Sequence, residues 1–441
     1  MFHLSAISNP WAIAALFIFV IAYLLVVSEE FIQLKKSKPV LLAAGIIWAI
    51  AAFLGEQYHA GDAIKLALEH TILEFSELFM FLVVAMIYVN TMEERQIFKA
   101  LSSWLIQKKL SYRKLFWATG FLAFFLSPVL DNLTTALIMG AVVISVGISS
   151  PIFIGISCIN IVVAANAGGA FTPFGDVTTL MVWQHGTVNF LQFLHIFFPA
   201  LLSYLIPATF MYFAIPKTTP NAESIPVAMR PGAKRIMFLF VLTIITAIAF
   251  HQFLDLPPML GMTTGLGYLS FLAYFMKRKA LKRVSEEQID NPSFQSFDFF
   301  KKMEKIEWDT LLFFYGVMLS IAGLATLGYL TVVADQLYTS GNLTLANTII
   351  GVLSALLGNI PVLYALLTMD PSMSIGQWLL VTLTTGIGGN LLSIGSAAGI
   401  ALMGQSQGKY TFFKHLKWSW AIALGYVFAI LLHCWMNQSL F

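Results

Sequence analysis

The chain has 441 residues, of which 58% are hydrophobic and 11% charged, and a formal net charge of +3. Soluble domains are about 45–50% apolar and about 25% charged, so this composition cannot cover a water-soluble fold with polar surface. Its solvent is a lipid bilayer, and no nucleic-acid partner is expected.

Apolar runs long enough to cross a hydrocarbon core recur along the chain. They predict spans at 11–28, 39–55, 75–92, 150–185, 190–215, 236–254, 259–276, 310–328, 376–404 and 418–436. The first, Trp11–Ser28, lacks a basic segment before it and a small-residue cleavage site after it, and reads as a retained span. Arg95–Lys114 mixes bases with Phe98, Leu101, Trp104, Leu105 and Ile106 at helical spacing, the pattern of an interfacial helix. The stretches 115–147 and 345–369 are interrupted by Ser-Pro-Val-Leu-Asp-Asn and Gly-Asn-Ile-Pro. These read as the tips of re-entrant hairpins, tolerated at membrane depth only where protein or a wet cavity surrounds them. The polar stretch 277–305 reads as a cytoplasmic linker. Cys158 and Cys434 stand alone in apolar segments and give neither a disulfide framework nor a metal-ligand spacing.

Charge distribution sets an orientation. With Lys35, Lys36 and Lys38 in the cytoplasm, 24 of the 25 Lys and Arg residues fall inside and only Lys65 falls outside. Counting either hairpin as a full crossing would destroy this bias. Both termini then lie in the periplasm of a bacterial inner membrane.

The two halves repeat in order. Leu73–Phe79 resembles Ile306–Leu312, Asp131–Thr134 resembles Gly358–Pro361, and Gly168-Gly169 with Gly175-Asp176 resembles Gly388-Gly389 with Gly395-Ser396. The fold class is therefore all-α and polytopic, with two inverted repeats, about ten spans, two re-entrant hairpins and two broken helices. Residues 1–276 form a first half with hairpin 115–147 and broken helix 150–185, and 277–307 the linker. Residues 308–441, with spans 236–276, complete the second repeat, including hairpin 345–369 and broken helix 376–404. Gly168-Gly169, Pro173 and Gly175 interrupt the first broken helix, and Gly386, Gly388-Gly389 and Gly395 the second. Such breaks free carbonyl and N–H groups at membrane depth.

Of the 22 acidic residues, only Asp131 and Asp176 fall well inside the apolar zone, each at a predicted break and without a Lys or Arg at comparable depth. A charge at the bilayer centre costs at least about 2.5–3.5 kcal/mol, so these carboxylates will be protonated or will hold a cation. Oxygen-bearing neighbours suit a hard cation: Asn132, Thr134 and Thr135 beside Asp131, and Asn166, Thr172, Gly175 and Thr179 around Asp176. The second repeat offers Asn359, Asn390, Ser393, Gly395 and Ser396 in equivalent places, without a carboxylate. Glu77 and Asp309, near the starts of spans, are accessory candidates against the plainer reading of helix-dipole partners. No Gly-x-Ser-x-Gly, His-Glu-x-x-His or Ser/His pair at membrane depth suggests an enzyme.

Ser127–Thr135 and Asn166–Asp176 resemble the corresponding segments of NhaD-type Na⁺/H⁺ antiporters, within the superfamily of arsenite permeases and divalent-anion/sodium symporters. The resemblance covers about residues 10–436. It implies exchange of cytoplasmic Na⁺, or of Li⁺, for external H⁺, no cofactor, and a homodimer with a moving transport domain. Symporter relatives carry Ser-Asn-Thr at the hairpin tips, whereas Asp131-Asn132 and Gly358-Asn359 stand here. That difference counts against the alternative of dicarboxylate or arsenite transport.

Overall fold

Apolar runs punctuated by Gly, Pro and Asn give helices along the whole chain, and no strand occurs among the described residues. The computed structural model describes residues 4, 6–220, 226–281, 303–339 and 341–441. The helices are α1 (Pro10–Val27), α2 (Ser37–Gln57), α3 (Gly61–Glu94), α4 (Ile97–Gln107), α5 (Tyr112–Leu130), α6 (Asn132–Val146), α7 (Pro151–Gly169) and α8 (Val177–Gln184). There follow α9 (Phe197–Phe213), α10 (Ala233–Leu254), α11 (Pro258–Leu281), α12 (Trp308–Thr326), α13 (Leu343–Leu357), α14 (Asn359–Met369), α15 (Ile375–Gly388), α16 (Ala397–Gln405) and α17 (Ser419–Met436). Short helical turns join several of them.

Among the described residues, nine helices are long and apolar enough to cross a membrane. Large side chains such as Phe17, Leu42, Phe213, Phe253, Phe271 and Trp435 stand exposed on them, as a lipid solvent requires. The predicted span 376–404 is not among the nine, because it breaks after Gly388 and α15 has only 14 residues. The segment predicted as an interfacial helix is helical over α4, whose Phe98 and Leu105 are buried. Residues 282–302 of the predicted linker lie outside the described residues.

Two sequence expectations fail. Glu77 is not near a helix start: α3 begins at Gly61, sixteen positions earlier, so a dipole role for Glu77 has no basis. The polar stretch before Glu77 continues the helix through i,i+4 pairs, Lys65 with Glu69 at 4.0 Å and His70 with Glu74 at 3.4 Å. Gly386 does not interrupt its helix either. It lies inside α15, where an added Cβ would approach Ala170 Cβ at 3.2 Å, so its small size serves helix packing.

The chain forms two compact units, each assembled from separated stretches. The larger gathers the described residues of Met1–Phe75, Leu110–Asn221 and Trp308–Phe441, and the smaller those of Ser76–Lys109 and Ala222–Glu307. In the smaller unit α10 packs along α11, and Tyr88 Oη donates to the Gly265 carbonyl at 2.7 Å.

The larger unit holds both hairpins and both broken helices. α5 packs along α7, and α13 packs along α15 in the same way. The repeats then exchange partners reciprocally: α6 meets α16, and α8 meets α14. That reciprocity is the mark of a two-fold relation. It extends to the backbone. Asp131 (φ 72°, ψ 161°) and Gly358 (φ 81°, ψ 151°) turn the two tips alike, and Asp176 (φ −147°, ψ 144°) matches Ser396 (φ −136°, ψ 148°). Ser127 Oγ donates to the Ala165 carbonyl at 2.6 Å, and Ser354 Oγ to the Thr385 carbonyl at 3.1 Å.

The hairpins pack so closely on the broken helices that certain side chains are excluded. A Cβ on Gly168 would lie 2.1 Å from the Phe124 carbonyl oxygen, and one on Gly388 would lie 2.0 Å from that of Gly351. Backbone cannot yield as a flexible side chain does. Gly168→Ala and Gly388→Ala should each destabilise by about 1–3 kcal/mol, the usual cost of overpacking. Gly404→Ala, with nothing within 4 Å of the new atom, should be neutral or stabilising. Thermal unfolding in detergent checks this, and equal melting temperatures for all three variants would refute the packing argument.

Candidate ion-binding site

Each hairpin tip is a helix N-terminus inside the larger unit. At the first, Asp131 is the N-cap of α6: Oδ1 accepts from Thr134 N and Oδ2 from Thr134 Oγ1, both at 2.8 Å. Its positive φ is a conformation that costs a non-glycine residue on the order of 1–3 kcal/mol and that collects at functional sites. Gly358 adopts the same conformation at the second tip without that cost.

Asp176 is the hub. It caps α8 through Thr178 N at 3.0 Å and is 4% exposed. The first residue of each tip helix donates an amide to it: Asn132 Nδ2 to Oδ2 at 2.9 Å, and Asn359 Nδ2 to Oδ2 at 3.1 Å and to Oδ1 at 3.3 Å. The carboxylate is thus met by both hairpins. Among the described residues it has no ion pair with Lys, Arg or His. Both partners are amides, and a half-turn of an amide replaces its donor with an oxygen. The same three side chains can therefore hold a bare carboxylate or present oxygens to a cation beside it.

The other candidates divide by what their oxygens do. Asn166 Nδ2 donates to Asn390 Oδ1 at 2.7 Å, linking α7 to the second break. The buried oxygens Asn166 Oδ1, Thr135 Oγ1 and Ser393 Oγ have no hydrogen-bond partner. Such groups are rare in a folded interior and call for a ligand or another explanation. Thr172 and Thr179 are engaged with backbone: Thr172 Oγ1 donates to the Pro128 carbonyl at 2.9 Å, and Thr179 Oγ1 to those of Thr172 and Asp176 at 2.8 and 2.7 Å. Ser396 Oγ accepts from Gly399 N at 3.2 Å as an ordinary cap. Gly175 and Gly395 let the ends of each break meet. A Cβ on Gly175 would lie 2.6 Å from Gly169 Cα, and one on Gly395 would lie 2.7 Å from the Gly389 carbonyl oxygen. Asp309 accepts from Ser37 Oγ and so ties α12 to α2. Among the described residues no group of three or more His, Cys, Asp or Glu comes together. Charge at the site thus comes from carboxylates placed singly among neutral oxygens, which suits alkali cations.

A cavity of about 100 Å³ lies against the second tip, lined by Gly358, Asn359, Pro361, Gly395 and Ser396, with Glu29 and Lys36 also in its wall. Sequence reasoning missed Ser127 and Ser354, whose only signal is their position four residues before each tip. It also missed Glu74, whose Oε2 accepts from Tyr364 Oη on α14 at 3.1 Å.

Residues 6–386 match the family model described as citrate transporter, CitMHS. The chain is 52% identical to the Na⁺/H⁺ antiporter NhaD of Vibrio cholerae serotype O1, over 97% of this chain and 92% of that protein. It is 53% identical to the NhaD of Vibrio parahaemolyticus, over 91% of this chain and 100% of that one. Sodium/proton antiporter 1 of Arabidopsis thaliana is 31% identical, over 96% of this chain and 72% of that protein.

Proposed function

The chain belongs to the CitMHS citrate-transporter family and is one of its NhaD-type Na⁺/H⁺ antiporters, and from that premise we infer that it exchanges cytoplasmic Na⁺ for external H⁺ across a bacterial inner membrane. The single observation that carries the mechanism is Asp176: a buried carboxylate bound by one amide from each hairpin tip and, among the described residues, by no cationic side chain.

Asp176 can take Na⁺ or H⁺, and either one neutralises it. A neutral site crosses the low-dielectric zone at little cost, whereas a bare carboxylate pays the full penalty of a buried charge. Exchange is then coupled, because the site returns only with a second cation in place of the first. Amide oxygens of Asn132 and Asn359 complete the ligand set for Na⁺ when they turn inward. Asp131, capped on α6, sets the field at the first tip. Li⁺ has the same hard-cation chemistry and is a second cargo on this reading.

Citrate or another polycarboxylate would require positive groups facing the substrate, whereas a carboxylate occupies the hub. Proteoliposomes with an imposed ΔpH test the assignment. Na⁺ should dissipate the gradient saturably, and citrate should not. Citrate uptake without a Na⁺-dependent proton flux would reverse the assignment.

The two-fold relation of the repeats, taken with the positive-inside bias, supports an inverted arrangement in the bilayer with both termini periplasmic. In that arrangement Lys36 and Gly341 lie on opposite faces. Cysteines at these positions should react with a membrane-impermeant reagent from the cytoplasmic and external sides respectively. Reaction of both from one side would exclude the inversion. A homodimer is the expected assembly, on the resemblance to the superfamily alone.

A further inference from the structure

Beyond the second broken helix, the segment between α16 and α17 sends one side chain back to the second break. His415 is 1% exposed, and its Nε2 lies 2.7 Å from the Asn390 carbonyl oxygen. That oxygen only accepts, so Nε2 carries the proton and donates. In the neutral ring Nδ1 is then an acceptor, and Tyr410 Oη, at 2.8 Å, donates to it. Tyr410 is itself held, its backbone N donating to Ser406 Oγ at 3.0 Å while Ser406 Oγ donates to the Tyr410 carbonyl at 3.2 Å. Burial lowers the His415 pKa to about 4, so the ring keeps this neutral form throughout the working pH range.

Asn390 lies in the short turn Gly389–Leu391, where α15 stops. Its Oδ1 accepts from Asn166, whose own Oδ1 is buried without a hydrogen-bond partner. Ser419 Oγ holds the next carbonyl, that of Leu391, at 2.6 Å. Two residues beyond the broken helix, His415 and Ser419, thus occupy successive carbonyls of the second break. The Asn390 side-chain oxygen holds Asn166 Nδ2, and the Asn166 oxygen is left to be aimed.

We propose that His415 is a positioning residue for the ion site: fixed by Tyr410, its imidazole holds the Asn390 turn and thereby the orientation of Asn166. The proposal rests on the reading of the Asp176 region as the Na⁺ site. It differs from a proton-carrying role, because the ring donates without titrating. It also predicts which parameter changes. A displaced oxygen ligand weakens Na⁺ binding, while the carboxylate that carries either cation remains and turnover persists.

The test uses the full chain in proteoliposomes, with Na⁺-dependent ΔpH dissipation as readout and His415→Leu, His415→Gln and Tyr410→Phe as variants. Glutamine keeps a donor near the Nε2 position, whereas leucine has none. We expect the apparent Na⁺ KM to rise about tenfold in His415→Leu and about threefold in Tyr410→Phe, the effect of losing one or part of one hydrogen bond. His415→Gln should stay within about threefold of the parent, with Vmax within about twofold throughout and the pH profile unmoved. Unchanged KM in both His415→Leu and Tyr410→Phe would overturn the proposal. So would equal losses in His415→Gln and His415→Leu, or a shifted pH profile in His415→Gln, which would make the ring a proton carrier. If His415→Leu fails to reach the membrane, Tyr410→Phe decides alone, because it removes a single hydroxyl. Absence of Na⁺-dependent dissipation in the parent would instead refute the ion-site reading itself.

Discussion

Asp176→Asn will abolish Na⁺-dependent ΔpH dissipation while the protein still folds and inserts. An amide neither binds a proton in the working range nor balances Na⁺, so both cargoes are lost together. Folding survives because the substitution is small and removes a buried charge, which relieves at least about 2.5–3.5 kcal/mol at membrane depth. Against this stands one mismatched contact, as the new NH₂ group faces a donor among Thr178 N, Asn132 Nδ2 and Asn359 Nδ2. Asp176→Ala is the less informative variant, since it leaves all three donors unpaired at about 1–3 kcal/mol each. Asp176→Glu should keep partial activity with altered Na⁺/Li⁺ preference, because the extra methylene moves the ligand by about one bond. Transport rate measured beside membrane expression separates these outcomes. Near-parental exchange in Asp176→Asn would make the carboxylate structural.

Asp131 makes the opposite demands on stability and transport. Its backbone conformation at the first tip is the one glycine adopts at the second. Asp131→Gly should relieve on the order of 1–3 kcal/mol of strain, against a few tenths of a kcal/mol for exchanging a cap carboxylate for glycine. The variant should therefore melt at a higher temperature in detergent than the parent. It should nevertheless lose exchange, because the first tip loses its charge and comes to resemble the second. Asp131→Asn, which keeps the side-chain shape and the cap to Thr134 N, should keep parental stability and also lose exchange. A lower melting temperature for Asp131→Gly would contradict the strain argument. Retained exchange in both variants would reduce Asp131 to a cap.

The breaks were legible because Pro, Gly and Asn interrupt apolar runs where a helix would otherwise continue, and two acids at membrane depth are too costly to be incidental. Their ranking was not legible. Asp131 and Asp176 look equivalent in sequence, yet Asp131 accepts from Thr134, three positions on, while Asp176 is reached from position 132 and from position 359. The pairing of Asn166 with Asn390 spans 224 residues, and no local pattern announces it. Glu77 was misplaced because an apolar window begins where charges stop, while a helix does not. The i,i+4 pairs of Lys65 with Glu69 and His70 with Glu74 lie on the part of α3 that precedes its apolar run. Thr172 and Thr179 carry the right oxygen chemistry, but their hydroxyls bind backbone carbonyls.

The central claim is that one carboxylate serves both cargoes. Its most direct measurement is the apparent KM for Na⁺ in proteoliposomes at a series of pH values from about 6 to 9. Competition at a single site requires KM to rise as pH falls, approaching about tenfold per pH unit on the acid side, because a proton must leave before the cation binds. A KM for Na⁺ that stays constant across that range would place the two ions at separate sites and contradict the account.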